Sequence, residues 1–311
     1  MSGTIAIGAT SFARHDDTPL QLLRAAGVDI RECPYPRRLS EAEAAALIQD
    51  ADGWLAGGEV LGADALEAAS GRLKAIARPG IDTGTIDCDS ASRLGIAVSF
   101  TPEIAAEAVA EMTLSALLAL TRKIVPLNAS MHAGKWEPLD GVGLRGRKAL
   151  VVGYGHVGRR VSELLQAFGC VVSVTEPNLN GNALPPGVPC VPLETGLAEA
   201  DIVTLHARGA EALLDDAAFG AMKRGALLLN CAQAALIQKS ALIRALESEI
   251  VSAAWFDCFW EEPYGGILGK YENVLLTPHC AARTPRCLSA MELQSAKNLL
   301  RDLGIPVPEM R

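Results

Sequence analysis

Aromatic side chains are scarce in this chain: Phe, Trp and Tyr make up 5% of its 311 residues, although 50% are hydrophobic. With 29 glycines, that profile argues against an aromatic-rich all-β sandwich. It suits Ala-, Val-, Ile- and Leu-rich helices packed on buried sheet. Basic charge is also short, 28 Lys and Arg against 36 Asp and Glu, for a net charge of -8. No nucleic-acid partner is expected, because a duplex is gripped through a basic footprint. The eight cysteines show no CxxC pair and no metal-ligand spacing. They point to buried, reduced thiols in a cytoplasmic protein and to no bound metal. The start, MSGTIAIGATSFARHDD, lacks a basic stretch, an adequate apolar run and a cleavage pattern, so no signal peptide is expected. The most apolar stretch, 104–125, carries Glu107, Glu111, Arg122 and Lys123. It reads as a packed helix and not as a membrane span, which takes about 20 mainly apolar residues. No tandem repeat or low-complexity segment occurs.

What is present is alternation. The length accommodates two domains, each with its own core. Short apolar runs alternate with helical segments from end to end, the pattern of parallel sheets covered by helices on both faces. Strands are expected at 4–9, 28–32, 53–56, 73–77 and 96–100, with helices at 18–26, 40–49, 63–69 and 88–94 between them. Ser40, with Glu43 three residues on, forms a capping box. These elements make one small doubly wound domain. Pro102, whose fixed φ suits a first helical turn, opens a long helix to about residue 125. The stretch HAGKWEPLDGVGLRG, 132–146, reads as a surface connection. A second series has strands at 149–152, 171–175, 201–205, 226–229, 251–256 and 274–276. The tail, 285–303, is helical with no strand left to pair with, which suits packing back onto the first domain.

Residues 149–158 read ALVVGYGHVG. The pattern Gly153-x-Gly155-x-x-Gly158 follows a strand, and His156 and Val157 open the next helix. An acid, Glu176, ends the following strand 18 positions after the last glycine. Gly153 permits the tight turn, Gly155 lets backbone approach a pyrophosphate, and Gly158 allows close helix–strand packing. A helix N-terminus supplies N–H groups and partial positive charge for phosphates. Glu176 can accept both ribose hydroxyls but repels a 2′-phosphate. NAD is therefore expected over NADP, the more so as Pro177 and Asn178 follow where an arginine often serves NADP.

Downstream lie WFDCFWEEP (255–263) and LLTPHCAART (275–284). With the glycine turn, and with LKAIARPGID, GIAVSFTP, EAVAEMTLSALLALTRKI and AGKW, these motifs resemble the D-isomer-specific 2-hydroxyacid dehydrogenases, in particular their phosphoglycerate dehydrogenase-like branch. The resemblance covers nearly the whole chain. It implies an NAD-binding Rossmann domain, 101–284, inserted in a smaller flavodoxin-like substrate domain made of 1–100 and 285–311. It implies a homodimer with the helix near 107–125 in the subunit contact, and a small-molecule substrate. It implies that Asp257 holds the nicotinamide amide, that His206, Cys231 and Ala232 line the cofactor, and that His279 is the general acid/base with Glu262 as its partner. Such a pair makes chemical sense, because reducing a ketone by hydride leaves an alkoxide that needs a proton as charge develops. Histidine titrates near neutrality, and a neighbouring carboxylate favours its protonated form.

One segment departs from the family. Where members resemble Asn-x-x-Arg-Gly-x-x-x-Asp, this chain has Asn230-Cys231-Ala232-Gln233-Ala234-Ala235-Leu236-Ile237-Gln238. The arginine that grips a substrate carboxylate is Gln233. Arg offers a bidentate, charge-assisted clamp, whereas Gln offers one neutral donor edge. Charged hydrogen bonds contribute about 1.5–3 kcal/mol each, so losing two removes roughly 10²–10⁴ in rate. The loop facing the substrate departs as well. Gly80 and Ile81 fit the family pattern, Asp82 adds a carboxylate where members have glycine, and Thr85 replaces an asparagine. Arg283, four residues after His279, is a candidate compensation. The expected function is an NAD-dependent oxidoreductase acting on a CH–OH/C=O centre of an atypical substrate. The alternative is a catalytically impaired NAD-binding protein with a sensing or protein-interaction role. A third reading, with Cys231 as nucleophile, has no base adjacent in sequence.

Overall fold

The structure is a computed structural model that describes residues 3–81, 85–179 and 184–309. The chain forms two compact units, 1–105 with 283–311 and 106–282. Asp82, together with Thr83 and Gly84, lies outside the described residues.

The described strands of the first unit are β1 (Thr4–Ile7), β2 (Asp29–Arg31), β3 (Gly53–Leu55), β4 (Ala75–Ala77) and β5 (Ala97–Ser99). All pair parallel, in the order β2-β1-β3-β4-β5. This is the flavodoxin-like doubly wound order. The central strands are apolar throughout because both faces are covered. Ile5, Leu55 and Ala75 pack with Ala296, Leu299 and Leu300 of the C-terminal helix Pro285–Asp302 on one side, while Ile48, Trp54, Leu66 and Ile76 form the core on the other. The helix Glu41–Ile48 starts with the full capping box: Ser40 accepts from the Glu43 N–H, and Glu43 accepts from the Ser40 N–H. One buried acid stands out on the C-terminal helix. Glu292 is 4% exposed, and its Oε2 accepts from the N–H of Ala13 at 3.0 Å. Burial pushes its carboxyl up to about 7, against the pull of that N–H.

The second unit has β6 (Lys148–Val152), β7 (Val171–Thr175), β8 (Ile202–Leu205), β9 (Ala226–Asn230), β10 (Val251–Phe256) and β11 (Val274–Leu276). Their order is β11-β10-β9-β8-β6-β7, all parallel. A single parallel bridge, Val174 to Cys190, sits beyond β7. Counting that bridge as a vestigial strand gives the Rossmann order 3-2-1-4-5-6, with β11 as a seventh strand at the far edge.

The long helix ends earlier than its hydropathy predicts. It runs Pro102–Thr121, Lys123 adopts a left-handed φ of 55°, and a separate helix, Ile124–His132, follows. The reason is Pro126, which has no N–H to donate and whose ring would strike the carbonyl of Arg122 in a continuous helix. The freed carbonyl of Thr121 accepts instead from Val142 at 2.8 Å, so the exposed 133–143 connection is stitched to the break. By length and composition alone the helix Pro102–Thr121 is apolar enough to cross a bilayer, and half of that stretch is buried within the protein.

Candidate active site

The register of the second sheet places the site. Thr175, Val152, Leu205, Asn230, Phe256 and Leu276 stand side by side across six strands. The next residue off each is Glu176, Gly153, His206, Cys231, Asp257 or Thr277. Ligands of open α/β sheets bind beyond the carboxyl ends of the strands, so one row delivers the candidate residues to that edge. A cavity of about 230 Å³ in this unit lies at the opposite edge, lined by Leu120, Asp140, Arg147, Ile202, Leu227 and Ser252 among others.

At the glycine turn each glycine meets a different constraint. Gly153 has φ +94°, and a Cβ there would collide with the backbone of Ala207. A Cβ on Gly158 would collide with the Gly153 carbonyl oxygen, whereas one on Gly155 would meet nothing within 4 Å. The turn is thus tight on its inner side and open at its middle glycine, which is what backbone approach to a pyrophosphate requires. The helix His156–Ala167 starts there with no side-chain cap, and the first N–H groups of a helix have no intrahelical partner. Glu176 is held at the mouth by two backbone bonds, Oε2 from Tyr154 N at 2.9 Å and Oε1 from Asn178 N at 3.0 Å. The residues present therefore fit a dinucleotide.

Beyond β8 and β9, His206 and Cys231 are neighbours. The His206 ring lies 2.8 Å from Thr204 Oγ1 through Nε2 and 3.7 Å from Cys231 Sγ through Nδ1. Burial lowers the His206 imidazole to about 3 and pushes the Cys231 thiol up to about 12. Both are neutral at physiological pH, so the pair is not an activated thiolate and the nucleophile reading falls. The imidazole that sequence spacing missed beside Cys231 is there as packing. Cys258 is buried as well, and burial raises its thiol.

The turn after β9 is tied by Asn230, which is fully buried. Its Oδ1 accepts from Ala232 N at 3.1 Å and its Nδ2 donates to Gln233 O at 3.1 Å. The Gln233 side chain reaches sideways, where Oε1 accepts from the N–H of Gly209 at 3.0 Å. Gln238 is the N-cap residue of the helix Lys239–Glu247 and caps it with no side-chain bond.

His279 and Glu262 meet. His279 Nδ1 lies 2.9 Å from Glu262 Oε2 and 3.1 Å from Oε1, with both side chains accessible. Phe259 N holds Oε1 at 3.1 Å. An ionised carboxylate only accepts, so Nδ1 carries the hydrogen and Nε2 is left for proton exchange. His279 itself sits at φ 50°, a left-handed conformation that costs a non-glycine residue roughly 1–2 kcal/mol. Asp257 secures it. Oδ1 accepts from Thr277 Oγ1 at 2.6 Å and from Cys280 N at 2.9 Å, and Oδ2 accepts from Ala281 N at 2.8 Å. Asp257 is 2% exposed and three of its acceptor positions point inward. Its visible task is to fix the segment that presents His279, a role the motif alone did not reveal.

In the first unit, Gly80 follows β4 and exchanges bonds with Thr101, whose N–H donates to Gly80 O at 2.9 Å and whose Oγ1 accepts from Gly80 N at 3.1 Å. Ile81 is half-buried beside it, and Arg283 is exposed at the start of the return segment.

Comparison with known proteins agrees with this architecture. Residues 114–281 match the family described as D-isomer specific 2-hydroxyacid dehydrogenase, NAD binding domain. The chain is 32% identical over 277 residues to D-3-phosphoglycerate dehydrogenase of Rattus norvegicus, covering 86% of this chain and 51% of that protein. It is 30% identical over 243 residues to glyoxylate reductase of Thermococcus litoralis, covering 74% and 73%. The crystal structure of the TT0316 protein from Thermus thermophilus superposes with a TM-score of 0.84 at 29% identity, over 98% of this chain and 99% of that one. The chain spans about half the length, or less, of the phosphoglycerate dehydrogenases it matches, 51% for the rat protein and 39% for a chloroplastic one from Arabidopsis thaliana. The family match, the two parallel sheets and the glycine turn agree: the chain belongs to the D-isomer specific 2-hydroxyacid dehydrogenases.

Proposed function

We propose that this protein is an NAD-dependent oxidoreductase acting at a CH–OH/C=O centre, on a substrate other than an ordinary 2-hydroxy acid. The observation that carries the reading is the His279–Glu262 pair, hydrogen-bonded at 2.9 Å on the same sheet edge as the glycine turn. NADH, when bound, supplies the hydride. Backbone around Gly155 and the start of the following helix receives the pyrophosphate, Glu176 takes the ribose hydroxyls, and His206, Cys231 and Ala232 line the nicotinamide side with uncharged surface. Asp257 keeps one acceptor position for the carboxamide while clamping 277–281. His279 delivers a proton from Nε2 to the oxygen that gains charge, and Glu262 stabilises the ring when it is protonated. In the reverse direction the same nitrogen takes the proton. Glu176 disfavours a 2′-phosphate, so NAD is preferred over NADP.

The substrate is atypical because Gln233 stands at the arginine position. Its side-chain oxygen is occupied by the Gly209 N–H, so the amide orientation is fixed by chemistry and Nε2 is the edge left to donate. An uncharged donor suits a neutral acceptor better than a carboxylate. Exposed Ile124 and Val125, at the end of the 107–125 stretch, support a homodimer with that stretch in the contact, and the free cysteines, of which Cys170, Cys231, Cys258 and Cys287 are buried and Cys190 is exposed, support a cytoplasmic location.

The test is an NADH titration followed by an NADH-oxidation screen over 2-oxo acids, neutral ketones and amino-substituted ketones. Turnover that falls by about 10²–10⁴ in His279→Ala, with NADH affinity unchanged, is the expected result. The replacement of both Arg and Asp in one segment favours a second reading, an NAD-binding protein without turnover. Tight NADH binding with no turnover on the panel, and none gained in Gln233→Arg, is the outcome that selects it.

A further inference from the structure

One of the chain's four tryptophans stands on β10. Ala254 and Phe256 belong to the core of the second unit, so Trp255 between them faces the other side of the sheet, and it is fully buried there. Its indole N–H donates to Thr277 Oγ1 at 2.9 Å, just past the end of β11. That bond decides a direction. An indole only donates, so the Thr277 oxygen accepts, and its hydroxyl has a single hydrogen left to give. The hydrogen goes to Asp257 Oδ1 at 2.6 Å, which also receives the Cys280 N–H at 2.9 Å. The Thr277 backbone is held as well. Its N–H donates to Phe256 O at 3.0 Å, and its carbonyl accepts from His279 N at 3.0 Å. The second of these bonds spans only Pro278, so a shift of Thr277 passes directly to His279.

We propose that Trp255 is a positioning residue for His279, acting through the Thr277 hydroxyl and Asp257. Its bearing on chemistry rests on the dehydrogenase reading, which makes His279 the proton donor. The indole has no exposed surface, so its effect on the site passes through what it holds. A left-handed backbone at a non-glycine residue, such as His279 at φ 50°, persists only where surrounding bonds fix it. The chain Trp255–Thr277–Asp257 supplies that fixation from inside the sheet. It also sets which oxygen of Asp257 stays open. Oδ1 receives two donors, whereas among the described residues Oδ2 receives only Ala281 N, at 2.8 Å. The acceptor position left for a carboxamide is therefore on Oδ2.

Amide hydrogen exchange of the full chain, followed by NMR, reads this brace without turnover. Trp255→Phe keeps an aromatic ring and removes the N–H, and Thr277→Val keeps the branched shape and removes the hydroxyl. Each is expected to speed exchange at Cys280 and Ala281 about threefold to tenfold relative to amides of β6 and β8, which report the stability of the whole unit. Benzothienylalanine at position 255, bicyclic but without the N–H, gives the same test if phenylalanine loosens the core. Thr277→Ser retains the hydroxyl and is expected to retain wild-type protection. In the double variant, Trp255→Phe is expected to add nothing to Thr277→Val, whereas an effect of packing alone would multiply. On the substrate found by the NADH-oxidation screen, kcat is expected to fall about threefold to tenfold in both single variants with substrate KM unchanged. The proposal is overturned by unchanged exchange at Cys280 and Ala281 in the position-255 variants, by effects that multiply in the double variant, or by an unchanged kcat despite faster exchange. Faster exchange in the variants, with no turnover even in the wild type, upholds the brace and defeats the dehydrogenase reading instead.

Discussion

Replacing Glu292 by glutamine isolates one titrating group in the first unit and makes its contribution measurable. The side chain is 4% exposed and its Oε2 receives the Ala13 N–H, a bond that a glutamine carbonyl reproduces. Burial, with a smaller push from Asp16, holds the carboxyl at about 7 against a usual 4.5. A folded value above the unfolded one means that the folded state favours the protonated acid. The stabilisation is full below pH 4.5 and is lost as pH rises through about 7. At about 1.4 kcal/mol per pH unit, linkage gives a loss on the order of 2–3 kcal/mol between pH 5 and pH 8. Glutamine does not titrate, so the variant lacks this slope. The assay is urea unfolding of both proteins at pH 5 and pH 8, followed by hydrogen exchange of amides in β1 and in the helix Pro285–Asp302. The difference of differences cancels every other titrating group. A value of about 2–3 kcal/mol in the stated direction is expected, and a value within about 0.5 kcal/mol of zero would refute the reasoning.

Other perturbations address the second unit. Gly158→Ala drives a methyl into the Gly153 carbonyl oxygen. It is expected to destabilise the unit by roughly 1–3 kcal/mol and to weaken NADH binding, read by thermal unfolding and fluorescence titration. Asp257→Asn removes acceptor capacity from the clamp on 277–281, and kcat is expected to fall more than NADH affinity in stopped-flow and equilibrium measurements. Brief iodoacetamide treatment at pH 7.5 is expected to label exposed Cys190 and to spare Cys231, whose thiol burial raises to about 12, as peptide mass spectrometry would show.

The alternation of apolar runs with amphipathic segments was enough to read two parallel sheets, because both faces of such sheets are buried and the strands carry no polar alternation. The Ser40–Glu43 box and the glycine turn were legible for a similar reason: each is a local pattern whose partners lie within a few residues. The break at Lys123 was not, since the hydropathy of 104–125 is continuous and the signal was Pro126, just past the stretch being read. The strand bounds were also overrun by one or two residues, at the end of β1, the start of β4 and both ends of β5, where Ala9, Leu73, Ile96 and Phe100 extend the apolar pattern beyond the paired residues. At the site, sequence resemblance put His279 and Glu262 together across 17 positions. It did not reveal that Asp257 turns its carboxylate toward 277–281, or that Gln233 reaches for Gly209. Those bonds join separate strand exits, and no spacing rule within one segment encodes them.

The register across the second sheet has a consequence for how this protein could change. Under the proposed function, proton handling leaves from β10 and β11, through Glu262 and His279, while Gln233 leaves from β9. On that reading, neighbouring loops hold two separable tasks on one sheet. A lineage, or a designer, can re-tune what is recognised by editing the turn after β9 while the loops after β10 and β11 stay unchanged.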